Sequence, residues 1–432
     1  MPFRELLAGV KVEWVRVLAR PICPARPRST RVLVLGQASQ EHSTERMQAC
    51  WPNAHAVVAA CGIQPRVRLH WQSPLLISQH SMNQLMRFCL IASLAVATGC
   101  QTGSVGSKPS QADSTKSQGQ KSSVLRGVHL LLGSDAQASA LQEQLPKLAA
   151  VGVNALVLET DYNFEFKSHP ELSSPGCVTQ ARAHQIAAEA RRLGIRLIPE
   201  INCLGHQSWS SRTLSLLAKY PEFDETPGQY PNNTNIYCRS WCPQNPRVNQ
   251  VVFALVDELM TAFEASAFHA GMDEVFIIGS EHCPRCKGHD PAKLFAKAVN
   301  DFHHHIVEER KWEMLLWADR LLDAKTMGYG EWESARKGTA GAVDLIPKDI
   351  LLCDWHYELR TNYPSVPFLV GKGFRVWPAG WKSLPAAQAL SIFSRQQQSP
   401  QVVGYLCTTW EAVKIPALAQ WPPLVNVLKE WN

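Results

Sequence analysis

Charge is scarce in this chain, and none of it sits where an acidic partner would need it. Only 19% of the 432 residues are charged, and the formal net charge of +6 lies wholly within residues 1–81, which hold nine Arg and one Lys against four Glu. The remainder balances, so no basic stripe marks a nucleic-acid surface. No glycine-rich loop or Arg/Lys cluster sits at the strand ends identified below, which excludes a phosphate cradle there. The apolar run from Phe88 to Ala97 is too short to cross a bilayer as a permanent helix. What the chain does have is 45% hydrophobic residues, enough for one large core or two ordinary ones.

Residues 1–81 show no sustained helical or strand period and read as a non-domain extension, either unstructured or placed upstream of the true start. Residues 82–100 read as a secretory signal of the bacterial lipoprotein kind. Met86-Arg87 precedes the apolar run, and Thr98-Gly99 leads into Cys100, the expected lipidation site. Translation from Met82 or Met86 would then deliver an exported, lipid-anchored protein of the cell envelope, with the membrane met only through the lipid. Residues 101–123, rich in Ser, Gln, Gly and Lys, read as a flexible tether, leaving 124–432 as the folded domain.

From Val124 onward strand and helix signals alternate. Strands are expected over 126–132, 154–159, 196–202, 267–278, 313–317, 350–355, 375–377 and 402–408, and amphipathic helices over 138–150, 179–193, 245–265 and 292–310. Eight such units predict a single α/β domain, a (β/α)8 TIM-type barrel, whose chemistry belongs at the C-terminal ends of the strands. Those ends carry Glu159 and Asp161; Glu200, Asn202 and His206; Asp273 and Glu274; Trp317 and Asp319; Asp354, Trp355 and Tyr357; Trp377 and Trp381; and Trp410 and Glu411. Carboxylates mixed with indoles suit sugars, which offer hydroxyls to carboxylates and flat C–H faces to aromatic rings. The mouth therefore reads as a glycan site.

Four of these segments, in order, resemble glycoside hydrolase family 20, the β-N-acetylhexosaminidases. His269-Ala270-Gly271-Met272-Asp273-Glu274 is similar to the family's His-x-Gly-Gly-Asp-Glu signature, and the segment from Leu197 to Gly205-His206 to its third strand. Leu316-Trp317-Ala318-Asp319 and Thr409-Trp410-Glu411 resemble its Trp-x-Asp and closing Trp-Glu. The pattern looks most like the single-barrel, hexosaminidase D-like branch, in which the signature's second glycine is also replaced. The resemblance implies substrate-assisted, retaining, exo-acting hydrolysis of terminal N-acetylglucosaminides or N-acetylgalactosaminides, with no metal or organic cofactor in catalysis. Glu274 would be the general acid and Asp273 would orient the acetamido group. Tyr357 would donate to the acetamido oxygen, Trp317, Trp355 and Trp410 would wall the pocket, and His206, Asp319, Asp354, Trp377 and Glu411 would be further substrate contacts.

Two departures stand out: Asn202 replaces an Asp, and the Asp-x-x-Arg expected after the first strand is missing, with Arg126 at that strand's other end. They leave open a carbohydrate-binding lipoprotein without turnover, or a glycosidase with Asp354 or Glu411 as a protein nucleophile. Adjacent strand residues point to opposite faces, so Asp273 and Glu274 can share a site only if a bulge at or near Gly271 breaks the pleat. Trp209, Trp241, Trp312, Trp332, Trp421 and Trp431 are expected in the core. Cys238, Cys242, Cys283 and Cys286 are a candidate structural cluster, as a four-thiolate zinc site, as disulfides or as free thiols. The run His303-His304-His305 is expected on a partly solvated helix surface.

Overall fold

The computed structural model of the protein describes residues 124–336 and 338–431. The extension, the signal segment with Cys100 and the tether lie outside the described residues. Eight parallel strands close into a barrel in sequential order: β1 Leu125–Leu131, β2 Ala155–Glu159, β3 Arg196–Cys203, β4 Ala267–Gly271, β5 Glu313–Trp317, β6 Leu351–Trp355, β7 Arg375–Gly380 and β8 Gly404–Thr408, with β8 pairing back onto β1. All eight expected strands are present. The main crossover helices are α1 Asp135–Ala150, α2 Gln180–Arg192, α3 Pro246–Ala262, α4 Pro291–His303, α5 Ser365–Gly371 and α6 Leu384–Gln396. Between β5 and β6 the described residues form short helical pieces, Asp319–Leu321, Ala324–Met327 and Thr339–Asp344.

The helices start where the sequence supplies a side-chain acceptor for an orphan N–H. Ser134, Thr179, Asn245, Asp290 and Ser383 each cap the helix that follows. The expected helix over 292–310 changes pitch instead of continuing, passing into a π-helical turn at His304–Glu309. That turn corrects the histidine expectation. His303 and His305 are buried, with their Nε2 atoms 2.9 Å from Asp349 and 3.0 Å from Asp257, and only His304 is exposed.

Period-2 alternation divides the apolar residues into two layers. Val128, Leu156, Leu158, Phe268 and Ala270 face the helices, while Val157, Ile198, Ala267, Leu315, Cys353 and Leu406 fill the barrel interior. Trp377 belongs to that inner layer. A Cβ added to Gly127 would lie 2.2 Å from its ring, so the glycine makes the hole that the indole fills. The third alternating position puts His129, Glu159, Glu200, His269 and Trp317 in the layer above, beneath the mouth.

The fourth strand is shorter than expected, ending at Gly271 and not at Ile278. Glu200 pairs with His269 and Cys203 with Gly271, so the extra residue of the bulge lies in β3, across from the end of the fourth strand, and not in the fourth strand at Gly271 itself. Gly271, Met272 and Glu274 then take left-handed φ values of +65°, +63° and +48°. The backbone turns out of the strand, and adjacent carboxylates are freed from the opposite-face rule. A Cβ at Gly271 would sit 2.6 Å from Asn202 Oδ1 and 2.8 Å from its Cα. Gly271→Ala is therefore expected to destabilise the protein by about 1–3 kcal/mol, from strain at a left-handed position plus the clash. Urea unfolding at neutral pH would show it as a lowered midpoint at unchanged slope.

Candidate active site

The strand ends open onto a cleft of about 1030 Å³, lined by Asp273 and Glu274 with Trp355, Tyr357, Trp410 and Glu411. Its floor is a buried charge network. His129 Nε2 lies 2.9 Å from Glu159 Oε2 and 3.2 Å from Glu200 Oε2, while Glu200 Oε1 is 2.9 Å from His269 Nδ1 and accepts a 2.9 Å bond from the Trp317 indole. Burial disfavours the imidazolium of His129, but the two carboxylates outweigh it and raise its pKa to about 10. Burial would likewise raise Glu200, yet His269 and His129 pull it down to about 2.

Glu274 has the opposite balance. Burial and then the Asp273 charge push its pKa up to about 7, against weaker help for the anion from His206 and a hydrogen bond from Tyr237. His206 Nε2 lies 3.4 Å from both Asp273 Oδ2 and Glu274 Oε2 and is held well above its ordinary pKa, burial being outweighed chiefly by Asp273. Asp273 Oδ1 is buried and has no hydrogen-bond partner within the protein.

The aromatic wall is tied together by its polar atoms. Trp410 Nε1 donates to the Tyr357 hydroxyl at 2.6 Å, and the Trp355 and Tyr357 rings stack at 4.9 Å. Trp410 and Glu411 both have left-handed φ values, +40° and +60°, which turn the chain after β8 back over the cleft.

Four expected contacts lie elsewhere. Asp319 is buried, and its carboxylate is fully engaged. Oδ2 accepts from the Glu274 backbone N–H at 2.9 Å and from Arg320 Nε at 2.6 Å, while Oδ1 accepts from the Trp355 indole at 3.3 Å. It positions the site and does not reach into the cleft. Asp354 is also buried, bonded by Ser365 Oγ at 2.7 Å and 3.2 Å from His356 Nε2, with no access to a sugar carbon. Trp377 lies in the inner barrel layer. Trp317 is fully buried below the cleft, edge-on to His129 and 6.1 Å from the Trp410 ring.

Sequence reasoning missed Tyr237 and misplaced Trp209 and Trp332. Trp209 is 59% exposed on a two-strand hairpin, Ser208–Trp209 with Arg212–Thr213, that lines the cleft, and Trp332 is 45% exposed beside Tyr237. No motif surrounds these residues, so only the tertiary placement of their loops reveals them. Arg126 lies at the far end of the barrel as read, bonded to the Gly152 carbonyl.

The cysteine cluster has a different fourth member. Cys242 Sγ lies 3.4 Å from both Cys283 Sγ and Cys286 Sγ, and Glu225 joins them. Cys238 points instead toward the Glu274 carbonyl, 3.8 Å away. Its position in β3's long connection carries it to the turn that holds Glu274.

A comparison with protein families matches "Glycosyl hydrolase family 20, catalytic domain" over residues 128–365, more than half of the chain. The chain belongs to glycosyl hydrolase family 20. A beta-hexosaminidase from Vibrio furnissii is 24% identical over 219 residues, covering 50% of this chain and 32% of that protein. A lacto-N-biosidase from Bifidobacterium bifidum is 24% identical over 202 residues, covering 43% and 17%. The chain thus spans less than a third of the length of these relatives. Among solved structures, a beta-N-acetylhexosaminidase from Bacteroides fragilis superposes with a TM-score of 0.51 at 14% identity over 71% of this chain and 65% of that one. Another beta-N-acetylhexosaminidase gives 0.51 at 17% identity, over 71% of each chain. These likenesses show the barrel fold. Asp273, Glu274 and Tyr357 lie inside the matched segment, and Trp410 and Glu411 beyond it.

The raised Glu274 pKa has a thermodynamic signature. Between the ordinary carboxyl value of 4.5 and about 7 the folded state holds a proton that the unfolded state has released, so stability falls as pH rises through that window. Glu274→Gln removes the ionisation. The variant is expected to gain stability over the parent above pH 7, by up to about 3 kcal/mol, with the gain fading toward pH 4.5. Denaturant titrations across pH 4–9 would measure it, and a pH-independent difference would contradict it.

Proposed function

We propose that this cleft hydrolyses terminal β-linked N-acetylglucosaminides or N-acetylgalactosaminides with retention, using the substrate's own 2-acetamido group as nucleophile. The observation that carries the reading is the unequal pair at the end of β4. Glu274 has its pKa raised to about 7, so it holds a proton near neutrality and can give it to a leaving oxygen. Beside it, Asp273 has one oxygen toward His206 and the other unpartnered, suited to accept an acetamido N–H.

The Tyr357 hydroxyl, already accepting from Trp410, keeps its own proton to donate to the acetamido oxygen, and burial raises its pKa so that the proton stays. Held this way, the acetamido oxygen attacks the anomeric carbon as Glu274 protonates the departing oxygen. Water, deprotonated by the resulting Glu274 carboxylate, then opens the cyclic intermediate. The stacked Trp355–Tyr357 pair and Trp410 offer apolar faces to the sugar ring. Glu159, Asp161 and Glu411 line the same cleft as acceptors for distal hydroxyls, in place of the missing Asp-x-x-Arg. Asp354, being enclosed, disfavours the protein-nucleophile alternative.

The whole chain is expected to turn over aryl N-acetyl-β-glucosaminide or galactosaminide and to leave the corresponding β-glucoside nearly untouched. Its kcat/KM should fall as pH rises through about 7, where Glu274 loses its proton. Glu274→Gln should lower kcat by about 10²–10⁴ on substrates with poor leaving groups, and Tyr237→Phe should move the alkaline limb upward, because the lost hydrogen bond had favoured the carboxylate. Binding of N-acetylglucosamine without turnover would point to the lectin-like alternative, and equal rates on glucosides to a protein nucleophile. The envelope location read from residues 82–100 belongs to this proposal. Metabolic labelling with palmitate should mark the exported protein and fail in Cys100→Ser; unlabelled parent protein would refute it.

A further inference from the structure

The cysteine cluster is built as a metal site. Glu225, Cys242, Cys283 and Cys286 are all buried, and their ligand atoms lie within 4.8 Å of one another. The thiols are unpaired, and the 3.4 Å between sulfurs is far longer than a disulfide and near the edge length of a thiolate tetrahedron around one ion.

Glu225 is the deciding residue. It is fully buried, its Oε1 accepts the Ser280 N–H at 3.0 Å, its Oε2 has no hydrogen-bond partner, and the carboxylate brings an oxygen within 4.8 Å of the three sulfurs. A buried carboxylate with one oxygen unsatisfied is costly without a cation beside it. The local backbone fits as well. In Cys283-Pro284-Arg285-Cys286-Lys287-Gly288 the Cys286 N–H points at Cys283 Sγ, 3.4 Å away, and Gly288 takes a left-handed φ of +74°. This is a tight turn that presents two sulfurs to one point.

We propose that these four side chains bind a structural zinc ion, three thiolates and one carboxylate in a tetrahedron, the thiol protons being released on binding. All four positions come from protein, so no open position is left for catalysis. The ion would tie the connection after β3, which supplies Glu225 and Cys242, to the loop after β4, which begins with Asp273-Glu274 and ends at Cys283–Cys286. It would be a clamp on the loop that carries the acid, and it stands independently of the glycosidase reading.

Elemental analysis of the purified full-length chain, with thiol counting and peptide mapping, tests this. About one zinc per chain is expected, with Co²⁺ replacement giving the intense visible bands of a tetrahedral thiolate site. Cys283→Ser and Glu225→Gln should each retain zinc about tenfold or more less well through dialysis against a chelator. Glu225→Cys, which keeps four donors, should hold it, and so should Cys238→Ser. Metal-free protein with three free thiols, or with a disulfide joining two of them, would overturn the proposal. Zinc lost in Cys238→Ser but retained in Glu225→Gln would overturn the ligand set.

Discussion

Asp319 is the carboxylate on which the geometry of the cleft rests. It meets the backbone N–H of Glu274, the indole of Trp355 and the guanidinium of Arg320 at one buried point, and Arg320 passes the restraint on to the Glu331 and Trp332 carbonyls at 2.7 Å each. An isolated charge there would be expelled or neutralised; paired with Arg320 and filled with donors, it can stay. Because Glu274 has left-handed φ just beyond the end of β4, nothing in the strand itself fixes its direction. The Asp319 bond supplies that direction, and through Trp355 it sets the cleft wall relative to Glu274.

Two buried carboxylates, close in space, have their pKa values moved in opposite directions by the same rules. Glu200 is enclosed by His129 and His269 and is held ionised, its pKa drawn to about 2. Glu274 faces Asp273 and Asp319, with His206 and the Tyr237 hydrogen bond too weak to offset them and burial, and its pKa rises to about 7. Burial alone would have raised both. What separates them is the sign of the neighbours, which holds Glu200 ionised and leaves Glu274 able to exchange a proton near neutrality.

The barrel was legible in the sequence because strand and helix periods alternate with cap residues at the boundaries, and a strand end is a strong positional cue for chemistry. That Asp273 and Glu274 would meet at one cleft was legible for the same reason, and the need for a break in the pleat near Gly271 followed from their adjacency. Depth along the barrel axis was not legible. Trp377 and Asp354 sit near strand ends in sequence, but register buries Trp377 against Gly127 and Asp354 under Ser365 and His356. Asp319 has the right position and the wrong exposure, since its neighbour Arg320 draws it inward. Cys238 shared local spacing with Cys242, while the fourth cluster member, Glu225, is of a type too common on surfaces to signal anything from sequence.

The connection between β3 and β4 explains why the parts hardest to read matter most. It carries His206, Trp209 and Tyr237 to the cleft, and much of it has no regular backbone pairing to hold it. Arg239 does that instead: it is buried and bonds Asn233 Oδ1, Asp224 and the carbonyls of Gln229 and Tyr230, satisfying loop groups that strands would otherwise pair. Gln207 adds bonds to the Asn202 and Gly205 carbonyls and to Tyr162. A hydrogen bond from Tyr237 to Glu274 can tune an acid only if its donor does not wander. The buried polar density of this loop is therefore what fixes Tyr237 against Glu274, and with it part of the balance that sets the Glu274 pKa.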